Sequence, residues 1–195
     1  MKTKLCTALA VAALAFTGLA TDLAANDYEA QIRAAFEAKI KPWLSDPAVV
    51  EAIKAQNQKH AGLSDADVDA LDKDWRAQAE AGNGPLIDEV LANALSSFLK
   101  SKKSEIGSMV TEMFVMDNLG LNVGQSDVTS DYMQGDEAKW QKTYPAGPGA
   151  VFVDDVEFDD STESFQSQIS VTVTDPATGE PIGAITIGVN VEELS

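Results

Sequence analysis

The chain is poor in the side chains that do most enzymatic chemistry, with one cysteine and one histidine in 195 residues. The cysteine, Cys6, falls inside an apolar N-terminal run that reads as a leader, so the mature chain has no thiol. That excludes a disulfide framework, a cysteine nucleophile and thiolate metal ligands. His60 stands alone between Lys59 and Ala61 at a helix end and is expected to be solvated. One histidine without a thiol leaves no Ser–His–Asp constellation, no Cys–His pair and no histidine-rich zinc site. Catalysis, a resident metal and a cofactor are therefore not expected. Positive charge is also scarce, 14 Lys and Arg against 31 Asp and Glu, for a net charge of −17. Such a field repels nucleic acid and anionic membrane surfaces and favours a cationic or neutral ligand. Glycines cluster with Pro148 at Gly147 and Gly149, but none precedes a helix in a phosphate-cradling pattern, so nucleotide binding is not supported.

Long apolar runs are missing too. The longest, Leu5 to Phe16, is 12 residues, short of the roughly 20 needed to cross a bilayer. Lys2 and Lys4 precede it, and Gly18 and Ala20 supply small residues at −3 and −1 before the polar Thr21-Asp22. Basic, apolar, small, then polar is the order of a secretory signal peptide, here residues 1–20, which implies a periplasmic mature protein. Losing Lys2 and Lys4 takes the charge from −17 to −19. The remaining chain of about 175 residues suffices for one core without disulfides.

What is present is an order of helices followed by strands. Tyr28, Ile32, Phe36 and Ile40 recur every four residues until Pro42. Pro47 opens a second helix carrying Val49, Val50 and Ile53. Ser64 and Asp67 form a capping-box start for a third, with Val68, Leu71 and Trp75 as its stripe. After Gly82-Asn83-Gly84, Pro85 opens a fourth helix whose apolar face runs from Leu86 to Leu99. Extended segments then follow at Met109–Met116, Leu121–Gln125 and Val151–Phe158, with a short helix within 135–143. Phe165, Ser167, Ile169, Val171 and Val173 alternate with Gln166, Gln168, Ser170, Thr172 and Thr174, and the alternation resumes at Ile185 after a turn at 175–180. This is an antiparallel hairpin with one covered and one more polar face. The expected fold class is α+β in one domain, with a helical part over 21–105 and an antiparallel sheet over 106–195.

The segment Phe114-Val115-Met116-Asp117-Asn118-Leu119-Gly120-Leu121-Asn122-Val123 resembles the two-strand core of extracytoplasmic Cache (PDC-type, PAS-like) sensor domains. The run from Thr129 to Trp140 is similar to the Cache segment in which a Tyr or Asp precedes an acidic pair and a Trp. Asp175, Gly179 and Ile182-Gly183 look like the closing hairpin of the same domains, and Asp46–Ile53 resembles their helical front more loosely. The resemblance covers roughly residues 106–191. It implies a long N-terminal helix packed on a PAS-like antiparallel sheet that holds a small ligand between sheet and loops. A second membrane span and an output domain are not found in the sequence, so the resemblance implies either a soluble partner of a separate membrane sensor or a protein that sequesters its ligand.

Tyr132, Trp140 and Tyr144 fall within thirteen residues and can line a small-molecule pocket, with Ser130, Asp131 and Asp136 supplying polar groups. Aromatics beside carboxylates suit an amine through charge and cation–π attraction. The competing expectation is that Trp140 is core. Asp154, Asp155, Glu157, Asp159, Asp160 and Glu163 form the densest acidic cluster. Hard oxygen ligands can hold calcium, but the EF-hand spacing and its central glycine are missing, and an acidic edge strand or loop, which also discourages aggregation, is the commoner explanation. Three functions remain open: a small-ligand sensor module, an adaptor that binds another protein without a pocket, and an enzyme, the last needing two coupled carboxylates in unlike environments.

Overall fold

Three α-helix starts among the described residues carry a side-chain cap, from Asp46, Ser64 and Asn93. The computed structural model describes residues 26–159 and 163–194; the expected leader, 1–20, lies outside them, as does Asp160. Helix α1 (Glu29–Lys39) buries Ile32 and Phe36 and gives way at Pro42 to a 3-10 turn over Lys41–Trp43. Asp46 accepts the Ala48 N–H at 2.8 Å, and Pro47 sits in the first turn of α2 (Pro47–His60). Ser64 and Asp67 form a reciprocal capping box at the start of α3 (Asp65–Ala81), which stops at the left-handed Gly82. A cap of this kind stabilises a helix by about 1 kcal/mol.

Where the sequence reads as one helix beyond Pro85, the structure has two, α4 (Pro85–Ala92) and α5 (Ala94–Ile106). Asn93 divides them. Its backbone is extended, its Oδ1 accepts the Ser96 N–H at 2.7 Å, and its Nδ2 donates to the Val123 carbonyl at 2.8 Å. The cap and the tertiary bond are invisible to apolar periodicity, which continues across the break.

The strands are β1 (Val110–Met116), β2 (Asn122–Gln125), β3 (Val151–Val153), β4 (Glu157–Asp159), β5 (Ser164–Thr174) and β6 (Pro181–Asn190). They form one antiparallel sheet in the order β2-β1-β6-β5-β3, with β4 also on β5. The segment expected as one extended piece, 151–158, is thus two short strands on the same flank of β5. Helix α6 (Ala138–Gln141) and a 3-10 turn at Tyr144–Ala146 lie between β2 and β3. The fold is α+β, helices packed on an antiparallel sheet. No helix among the described residues is long and apolar enough to cross a membrane.

One sheet face carries the main core. Met113, Val115, Ile169, Val171, Ile185 and Ile187 meet Ile32, Ile53, Leu95 and Leu99 from α1, α2 and α5. Fully burying such a side chain stabilises by about 1.5–3 kcal/mol. A second core joins α3 and α4 to the chain on either side of β2, through Trp75, Ile87, Val90, Leu121 and Tyr132.

The β1–β2 turn is tied to α2 by Asp117, which is fully buried. Its Oδ1 accepts the N–H groups of Leu119 (2.8 Å) and Leu121 (2.9 Å); its Oδ2 accepts Gln56 Nε2 (3.0 Å) and lies 2.9 Å from His60 Nδ1. His60 is therefore not solvated as expected but 6% exposed. Its position in the last turn of α2 looks peripheral in sequence, and the turn folding back over it supplies both cover and partner. Gly120 closes the turn at φ 81°, and a Cβ there would lie 2.4 Å from the Gly135 Cα. This close approach lays the 133–136 segment across the turn.

Candidate functional site

The second face of the sheet is built from residues alternating with the core. In register across the strands stand Asn122 and Gln125 on β2, Glu112, Phe114 and Met116 on β1, Ala184, Thr186 and Gly188 on β6, Gln168, Ser170 and Thr172 on β5, and Phe152 on β3. Most of these are polar, yet the face is not solvated. Asn122, Gln125, Ser170 and Thr186 are 0% exposed and Thr172 is 5%. The cover is the 126–150 segment, whose Trp140 and Tyr144 pack on Phe114, Met116 and Ala184.

A buried polar face must find hydrogen bonds. Some are present: Ser170 and Thr186 share one at 2.9 Å, and Asn122 Nδ2 donates to Thr129 Oγ1 (2.8 Å) and to the Asp131 carbonyl (3.0 Å). Three atoms on this face have no partner among the described residues, namely Asn122 Oδ1, Gln125 Nε2 and Thr172 Oγ1. An orphaned buried donor or acceptor costs about 1–3 kcal/mol. Asn122 and Gln125 offer an acceptor and a donor on β2, and Thr172 a hydroxyl three strands away on β5, all uncharged.

At the Glu112 end the face opens into a cleft of about 280 Å³ walled by Glu112, Glu137, Lys139, Asp154, Glu157 and Gln168. Burial pushes the Glu112 carboxyl above its ordinary range, while Lys139 and a 2.9 Å hydrogen bond from Gln168 oppose the shift. A carboxylate perturbed by desolvation in a cleft marks a binding site more often than a solvated one does. Lys139 pairs with Glu137 at 3.0 Å and lies 5.4 Å from the Phe114 ring centroid, so it sits where the cleft meets the covered face.

The six residues singled out in the sequence fall in three places. Trp140 and Tyr144 cover the polar face, their rings 5.2 Å apart, and the Trp140 indole donates to the Asp117 carbonyl at 3.1 Å. Burial raises the Tyr144 phenol above its usual pKa, with Asp117 adding to it. Tyr132 instead points to α3. It is 3% exposed and stacks on Trp75 at 5.3 Å, and burial drives its phenol far above the usual range. Asp131 is held by Arg76 at 2.8 Å, and the Ser130 hydroxyl bonds to the Asp131 carboxylate. Arg76 also pairs with Asp72, which accepts the N–H groups of Tyr132 and Met133. Asp136 is exposed and walls a separate groove of about 530 Å³ beside α3, with Asp65, Asp69, Asp72 and Met133. The structure thus joins Ser130, Asp131 and Tyr132 to the helices, and Trp140 and Tyr144 to the sheet.

Sequence reasoning passed over Asn122, Gln125, Thr172 and Glu112. The signal was two amides within a short strand otherwise free of polar side chains, and a glutamate inside an apolar run. As for calcium, Asp154, Glu157 and Asp159 gather at the cleft, but among the described residues no three His, Cys, Asp or Glu side chains are placed to hold a metal ion.

No family model matches the chain, and no curated relative does. Solved structures do. The fold is similar to that of chemoreceptor ligand-binding domains. The sensory domain of Campylobacter jejuni Tlp3 with isoleucine bound aligns over 85% of this chain and 63% of its own, at 16% identity and a TM-score of 0.40. The ligand-binding domain of Pseudomonas fluorescens CtaA in complex with L-alanine aligns over 86% and 60%, at 12% identity and a TM-score of 0.39. That of Pseudomonas aeruginosa PctC in complex with GABA aligns over 79% and 62%, at 12% identity and a TM-score of 0.41. The chain spans about 62% of the length of the first of these receptors' domains. These neighbours are sensor domains of the Cache (PDC) type.

Proposed function

We propose that this is a periplasmic, non-catalytic, Cache-like sensor module that binds a small polar molecule on the covered second face of its sheet. The observation that carries the reading is the set of three orphaned neutral groups, Asn122 Oδ1, Gln125 Nε2 and Thr172 Oγ1, on a buried face. A ligand that pairs with the β2 amides, or with Thr172 on β5, satisfies groups that the protein's own described residues leave unpaired. The acidic cleft at Glu112 is the approach, and its charge favours a ligand with an amine at one end and uncharged hydrogen-bonding groups at the other. The bound state is read by a separate membrane sensor.

A second reading, an adaptor for another protein, draws on the way Trp140 and Tyr144 fill the space over Phe114 and Met116. One experiment separates the two. The mature chain, residues 21–195, is screened by thermal shift against amines, amino acids, organic acids and amides. A dose-dependent rise in Tm that is lost in Thr172→Val and Gln125→Leu supports the sensor reading, since a ligand preferring the native state must stabilise it. No rise across the library, or one unchanged in both variants, overturns it.

A further inference from the structure

We infer that the β3–β4 edge of the sheet docks an extended, lysine- or arginine-bearing segment of a second protein. The edge is open: β3 and β4 pair only with β5, and among the described residues no strand lies on their far side. It is strongly charged, with Asp154, Asp155, Glu157 and Asp159 falling within residues 154–159. Among the described residues no lysine or arginine forms an ion pair with Asp155 or Glu157 within 4.0 Å. It is also apolar at one end. Phe158 and Phe165 face each other across β4 and β5, with ring centroids 5.2 Å apart, and remain 53% and 47% exposed.

Charge alone would suffice to keep an edge from pairing with its like. Two half-exposed phenyl rings beside the charge work against that purpose, and they are what a strand-adding peptide uses as an anchor. A second copy of this chain is a poor occupant, because pairing edge to edge sets carboxylates against carboxylates. A basic segment gains at each step. Its backbone completes the open ladder, its cations meet Asp155 and Glu157, and a guanidinium or ammonium can rest on the exposed ring faces.

The test uses the mature protein and two fluorescent octapeptides, one alternating lysine with valine, the other glutamate with valine. The basic peptide is expected to bind, the acidic one not. Backbone amide shifts are expected to be confined to 151–159 and 164–166. Phe165→Ser is expected to weaken binding at least tenfold, and Glu157→Lys, which keeps both rings, about as much. Failure of the basic peptide to bind, equal binding by both variants and wild type, or shifts centred elsewhere would each overturn the inference.

Discussion

Removing the Asp117 carboxylate should be among the most damaging single changes in the chain. Asp117→Ala deletes the acceptor of four hydrogen bonds, from Leu119 N, Leu121 N, Gln56 Nε2 and His60 Nδ1, all between 2.8 and 3.0 Å. At about 1 kcal/mol net for each bond the loss is about 4 kcal/mol. Water cannot readily replace the carboxylate, because Asp117 is 0% exposed and His60 is 6% exposed. A domain of this size has about 5–15 kcal/mol in all, so the variant should still fold. Urea unfolding followed by far-UV circular dichroism measures the difference directly. Asp117→Asn keeps the two backbone bonds to Oδ1 and should cost less than half as much. A loss below about 1 kcal/mol in Asp117→Ala would refute the idea that this side chain staples the β1–β2 turn to α2.

Three further outcomes follow from the same geometry. Burial raises the folded pKa of Glu112, so its ionisation above the ordinary 4.5 opposes folding; the native state binds the extra proton, and stability falls as pH rises through the folded value. Glu112→Gln should therefore stabilise the protein at neutral pH and lose that advantage as pH falls below 4.5, which Tm against pH will reveal. Gly120→Ala should lower stability by about 1 kcal/mol from the left-handed backbone, and more if Gly135, 2.4 Å from the new Cβ, does not yield; no loss in urea unfolding would contradict the close approach. Tyr132→Ala should cost about 3–5 kcal/mol by opening a cavity against Trp75, whereas a loss under 1 kcal/mol would place Tyr132 outside the second core.

The helical half was legible because its signals are local. Ser64 with Asp67, Pro47 and Pro85 act within one turn of themselves, and the structure starts helices at each. Asn93 was missed because its cap on Ser96 leaves the apolar periodicity uninterrupted and its other bond goes to Val123, thirty residues away. The strands were legible from alternation, and β5 and β6 stand where Phe165–Thr174 and Ile185–Val191 alternate. Alternation reports which residues share a face and not whether that face is wet. Ser170 and Thr172 read as the more polar side, yet the 126–150 segment covers them. His60 shows the same limit in one residue, since its burial comes from a turn fifty-seven positions later in the chain.

The choice between a sensor and an adaptor turns on what a covered polar face costs. An adaptor whose interior has closed gains nothing from Thr172 Oγ1 or Gln125 Nε2; valine or leucine there would relieve about 1–3 kcal/mol each. A protein that must open to a ligand has a use for that penalty, because the same groups that weaken the empty state strengthen the filled one. Trp140 and Tyr144 then act as a removable cover. Trp140 is held to the sheet side by one indole bond to the Asp117 carbonyl, the residue that also binds α2 through Gln56 and His60. Displacing the cover would break a bond to the backbone of the residue whose carboxylate holds α2.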